Sequence, residues 1–173
     1  AGSDSFKIDP VVTPSREQWL EIFRIAHDNG LRVILMPIIL LSDPRGNEWR
    51  GVISPPNWDD WFERYVKFIV HFAGIAAENH VEVFAVGSEY VSSESFTDRW
   101  RRVIREVRKV YPGRLTYSAN WDHYKVVEFW DQLEEPRLLV IDDLGTEPLD
   151  EKGWALANLR ALLDTRYDAC AQT

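Results

Sequence analysis

The 173 residues, 45% hydrophobic and 28% charged, suit one globular domain with a sizeable core, or one domain with a foreign tail. A formal charge of −8, from 28 acidic against 20 basic residues without a long basic run, argues against nucleic acid as the main partner. The single Cys170 rules out a disulfide framework or thiolate cluster, and no apolar run approaches the roughly 18 residues of a membrane span, so no membrane partner is expected.

Along the chain, helical and strand-like spacing of apolar residues alternate, the pattern of βα units around a parallel sheet. Thr13-Pro14-Ser15 opens a first helix, with Trp19, Ile22, Phe23 and Ala26 on one face and Asn29-Gly30 as its stop. Leu31 to Leu41 reads as a strand covered on both faces. Ser42 to Asn57 is too long for a tight connection and reads as a functional loop over one end of the sheet. A second helix from about Trp58 to Asn79 carries a broad stripe of Trp61, Phe62, Tyr65, Phe68, Ile69, Phe72 and Ile75. Val81 to Glu89 is the next strand-like run. A third helix, about Thr97 to Val110, turns Trp100, Val103, Ile104 and Val107 inward, and Pro112-Gly113 ends it. Leu115 to Ala119 is a strand, Val126 to Leu133 a short helix, Leu138 to Ile141 a strand and Trp154 to Tyr167 a last helix. The predicted fold is therefore α/β, a partial TIM-type (β/α) barrel with about four parallel strands. Such a sheet stays open, and its edges invite pairing with another chain.

The candidate catalytic residue is Glu89, because the run Val83-Phe84-Ala85-Val86-Gly87-Ser88-Glu89 delivers a carboxyl group to a strand's carboxyl end, where α/β enzymes place their chemistry. A helix-capping or ion-paired surface Glu is the competing reading. Partial burial among aromatics would favour its protonated form and suit it to proton donation. Candidate saccharide contacts are Trp49 and Trp121 for stacking, Asn120 for hydroxyl groups, and Tyr124, with Arg50 either holding a loop or meeting substrate. Trp19, Trp61 and Trp100 sit on helical stripes and read as core. His27 and His71 fall within helices, no His/Glu spacing resembles a zinc site, and neither metal nor other cofactor is expected.

Taken together, Ala26-His27 with Gly30-Leu31-Arg32-Val33, Trp49-Arg50-Gly51, Phe84 to Glu89, Trp100-Arg101 with Val107-Arg108 and Tyr111, and Leu115 to Trp121 carry a resemblance over residues 9 to 133. The chain resembles the barrel-forming glycoside hydrolases of clan A, most closely the β-mannanase-like members of family 113. That resemblance implies hydrolysis of a β-linked, mannan-type polysaccharide with retention. It also implies that Glu89, after the family's fourth strand, is the acid/base, and that a second Glu after the seventh strand is the nucleophile. The nucleophile has no counterpart in this sequence, so the chain alone is expected to be inactive.

From Glu135 onward the wording changes. Leu138-Leu139-Val140-Ile141-Asp142-Asp143 resembles the Walker B segment of helicase-loader and transposition ATP-binding proteins of the AAA+ class, and Leu162 to Tyr167 continues that likeness. No Gly-x-x-x-x-Gly-Lys-Ser/Thr occurs to cradle phosphates. The expected organisation is a hydrolase-like unit over 1–134 and a βα tail over 135–173 on the same sheet, with Asp142 or Asp143 emerging at the Glu89 end. Three functions follow in order: a β-glycanase fragment, a non-catalytic carbohydrate-binding module, and an ATP-binding fragment.

Overall fold

The computed structural model of the chain describes residues 6–120 and 122–133. Helix α1 (Arg16–Asp28) begins at Ser15, whose hydroxyl accepts the Gln18 amide while the Gln18 side chain accepts the Ser15 amide at 2.7 Å, a closed capping box. Pro14 thus lies just before the cap. Of the predicted inward face only Phe23 is fully buried, with Trp19 stacked on it at 5.3 Å, and Ile22 is exposed.

Three strands, β1 (Ile34–Leu35), β2 (Val83–Ser88) and β3 (Arg114–Ser118), form one parallel sheet in the order β1-β2-β3. Helix α2 (Trp58–Glu78) connects β1 to β2, and α3 (Thr97–Arg108) connects β2 to β3. This is the predicted open βα arrangement; the strand expected at Leu138 to Ile141 and the helix expected at Trp154 to Tyr167 fall outside the described residues. Among the described residues no helix is long and apolar enough to cross a membrane.

Helices α2 and α3 form because their apolar residues recur at helical spacing, and they bury that spacing: Trp61, Phe62, Tyr65, Ile69, Phe72 and Ile75 on α2, and Trp100, Val103, Ile104 and Val107 on α3. Strand β2 is the centre of the core, with Phe84 through Ser88 all buried. Two tyrosines tie it down: Tyr65 donates its hydroxyl to the Val86 carbonyl and Tyr111 to the Val81 carbonyl, each at 2.7 Å.

Two elements differ from expectation. The run from Leu31 to Leu41 contributes only Ile34–Leu35 to the sheet, and Ile34, Met36, Ile38 and Leu40 are exposed while Leu35 and Pro37 are buried. Successive side chains of an extended run point to opposite faces, and among the described residues the face carrying Ile34, Met36, Ile38 and Leu40 is left uncovered. The predicted helix from Val126 to Leu133 is instead a pair of 3-10 turns, Tyr124–Val126 and Trp130–Gln132. Between them Val127 and Phe129 are buried and Glu128 is exposed, a period of two that an α-helix cannot satisfy.

Near its end β2 carries an extra residue, since Ala85 pairs with Thr116 but Ser88 pairs with Ser118. A bulge of this kind re-aims the residues that follow. Gly87 lies inside it for a steric reason: a Cβ there would stand 2.8 Å from the Tyr117 ring and 2.9 Å from the Trp100 ring. Gly87→Ala is therefore expected to lower stability by about 1–3 kcal/mol, the range for overpacking a tight core, as read from urea unfolding.

Candidate active site

Glu89 follows β2 directly and has a left-handed backbone, with φ of +54°. A non-glycine residue held there carries strain on the order of 1–3 kcal/mol, so its surroundings must fix it. They do so from several sides. The Glu89 amide donates to the Ser118 carbonyl at 2.7 Å, at the end of β3. The next amide, Tyr90, donates to the Tyr117 hydroxyl at 3.0 Å. The side chain, 28% exposed, forms an ion pair with Arg50, whose Nε also donates to the Ser88 carbonyl at 3.2 Å.

Arg50 brings the long loop with it. The 3-10 turn Arg50–Val52 sits in that loop, and the Ser92 hydroxyl holds the loop by donating to the Ile53 carbonyl at 2.6 Å. Trp49 is 39% exposed, and its indole lies over Gly51, where a Cβ would approach within 2.3 Å. The Arg50 guanidinium carbon stands 5.7 Å from the centre of that ring. Trp49, Arg50 and Glu89 are thus gathered at the carboxyl end of β2. Arg50 joins the loop to the end of β2 through its contacts with Glu89 and the Ser88 carbonyl. The expected surround of Glu89 needs correction, because its carboxylate faces a guanidinium and not aromatic rings alone.

Asn120 lies two residues past Ser118, the partner of Ser88, and its carbonyl accepts the amides of His123 and Tyr124 at 3.0 and 2.9 Å. Tyr124 is half-buried, its carbonyl receives the Trp130 indole at 3.0 Å, and Lys125 approaches its ring. These two residues therefore stand on the loop after β3, at the same sheet end as Glu89. Trp121, Asp142 and Asp143 lie outside the described residues.

Sequence reasoning missed Glu94. It follows the 3-10 turn Val91–Ser93, is fully buried, and accepts the Tyr117 hydroxyl at 2.9 Å. Its other oxygen has no hydrogen-bond partner and stands 3.8 Å from His123 Nδ1. Burial pushes the Glu94 carboxyl up; the Tyr117 hydroxyl and His123 oppose this, while Asp122 and Glu89 add to it. Burial, reinforced by the charge of Glu94, also pushes the Tyr117 hydroxyl far up, so that it stays a neutral donor. Glu94 sits in the polar run Ser92-Ser93-Glu94-Ser95, which carries no periodic signal. Among the described residues no three His, Cys, Asp or Glu side chains converge as a metal centre requires.

The model of Glycoside Hydrolase Family 113 matches residues 2–165 of the chain. A solved GH113 β-mannanase from Alicyclobacillus acidocaldarius, in complex with ManMIm, is 32% identical over 75% of this chain and 43% of its own, with a TM-score of 0.67. A complex of a GH113 β-1,4-mannanase matches at 32% identity over 94% of this chain and 53% of that one, with a TM-score of 0.74. A further GH113 β-1,4-mannanase structure matches at 33% identity, covering 87% and 49%, with a TM-score of 0.68. The chain spans about half the length of these solved proteins. No curated protein matches. The likeness of the tail to ATP-binding proteins finds no support, since the family match continues through it to residue 165. An open parallel sheet with helices, neighbouring solved GH113 structures at these TM-scores, is a partial α/β barrel. The chain belongs to Glycoside Hydrolase Family 113.

Proposed function

We infer that this chain provides the proton-donating half of a retaining hydrolase for β-linked, mannan-type polysaccharide. The observation that carries this reading is Glu89 held at the carboxyl end of β2 in a left-handed turn, part exposed, beside Arg50 and Trp49. In a retaining reaction a carboxylate attacks the anomeric carbon while an acid protonates the departing glycosidic oxygen, and the acid then serves as base toward water. Glu89 takes the second role once an incoming sugar displaces Arg50 from the ion pair. Trp49, Asn120, Trp121 and Tyr124 bind the rings and hydroxyl groups.

The attacking carboxylate comes from beyond the described residues. Glu94 is fully buried and out of a substrate's reach. The unpaired edge of β1 is where a further βα unit, or a second copy, would pair, and the exposed side chains of Ile34, Met36, Ile38 and Leu40 are what it would help to cover. The chain alone thus binds saccharide without turning it over. The burial of Glu94 and the ion pair at Glu89 also favour a second reading, a permanently non-catalytic saccharide-binding module.

Calorimetric titration with a β-1,4-linked manno-oligosaccharide, followed by a reducing-end assay on the same mixture, tests the binding that both readings share. Saturable heat without new reducing ends is expected, and Trp49→Ala weakens binding by about 0.5–1.5 kcal/mol, the worth of one aromatic contact. Absence of heat with the manno-oligosaccharide, or an unchanged affinity in Trp49→Ala, would contradict the assigned site.

A further inference from the structure

We propose that Glu94 is a positioning residue which, through the Tyr117 hydroxyl, clamps the turn bearing Glu89 and braces it against the loop that carries Asn120 and Tyr124. This rests on the reading of Glu89 as acid/base and extends it to residues that no substrate touches.

The chain of contacts is continuous. Glu94 Oε1 accepts from the Tyr117 hydroxyl at 2.9 Å, and the Tyr117 hydroxyl oxygen in turn accepts the Tyr90 amide at 3.0 Å. Because the hydroxyl proton is committed to Glu94, a hydroxyl lone pair is turned to Tyr90, the residue after the strained Glu89. The Tyr117 ring packs against Trp100 at 5.3 Å and Phe129 at 5.2 Å, so the hydroxyl has little freedom to find another partner. Glu94 Oε2 stands 3.8 Å from His123 Nδ1, and the amides of His123 and Tyr124 both donate to the Asn120 carbonyl. One buried carboxyl group therefore touches the β2 end through β3 and the loop after β3 directly. A buried carboxyl is costly to keep without a task, since apolar side chains of its size would fill the same space.

Tyr117→Phe, Glu94→Gln and Glu94→Leu separate the alternatives. Gln keeps an oxygen that accepts from Tyr117, Leu keeps only volume, and Phe keeps the ring but removes the bridge. In NMR hydrogen exchange, Tyr117→Phe and Glu94→Leu are expected to lower protection of the Tyr90 amide at least tenfold relative to the α2 amide of Ile69, whereas Glu94→Gln retains it.

A second readout follows from linkage. The groups facing Glu94 are Tyr117 on β3, Asp122 and His123 on the loop after it, and Glu89 after β2. Its folded-state pKa is raised, so its contribution to stability is full below the ordinary carboxyl value of about 4.3 and is lost as pH rises through the folded value. Glu94→Gln is expected to remove this part of the decline in urea midpoint with rising pH. Unchanged Tyr90 protection in folded Tyr117→Phe would overturn the proposal, as would a Glu94→Gln variant that behaves like Leu. None of these readouts requires turnover, so a clamp that passes in a chain without saccharide affinity would refute the hydrolase reading and leave the positioning intact.

Discussion

Trp100→Ala is expected to destabilise the protein by about 3–5 kcal/mol, near the top of the range for aromatic truncations in cores. Trp100 is fully buried, stacks with Tyr90 at 5.9 Å and Phe129 at 5.4 Å, and meets Phe62, Tyr65 and Tyr117 edge-on. Its indole donates to the Ser93 carbonyl at 3.0 Å, one residue before Glu94. Truncation opens a cavity under Gly87 and frees the Ser93 carbonyl in the same step, so collapse around the void cannot restore both. Trp100→Phe fills most of the volume and isolates the lost hydrogen bond, with an expected loss nearer 1–3 kcal/mol. Urea unfolding of the two variants checks both values, and a loss below 1 kcal/mol for Ala would contradict the packing described.

Helices α2 and α3 were legible in the sequence because burial and periodicity coincide there. Trp61 and Trp100 fall on their stripes and lie in the core, where their spacing put them. The open cover of β1 was not legible, since an apolar run reports the potential for burial and not whether a neighbour is present to accomplish it. The segment after Tyr124 misled for another reason: Val127, Phe129 and Leu133 are all buried, but two 3-10 turns separate them in a way that composition does not encode.

At the site, Glu89, Trp49 and Arg50 could be located from strand-end and loop positions. The Arg50 to Glu89 ion pair could not, because 38 residues separate Arg50 from Ser88 and only the folded loop brings them together. Glu94 was invisible for the same reason, its partner Tyr117 lying 23 residues on, across α3. The sequence shows which residues can do chemistry, while the partners that restrain them are set by tertiary contacts.

The proton-donating role of Glu89 is tested most directly by supplying an external nucleophile in place of the second carboxylate. With azide present, attack at the anomeric carbon breaks the glycosidic bond, the bonding pair passes to the leaving oxygen, and that oxygen takes the proton of Glu89. Glycosyl azide is expected from a manno-oligosaccharide with the wild-type chain, and Glu89→Gln should form it about 10²–10⁴ times more slowly, the usual worth of a general acid. With a dinitrophenyl mannoside, whose leaving group departs without a proton, the two proteins are expected to react alike. Equal rates on the unactivated manno-oligosaccharide would contradict the role given to Glu89, as would a saccharide-bound wild-type chain that forms no glycosyl azide at all.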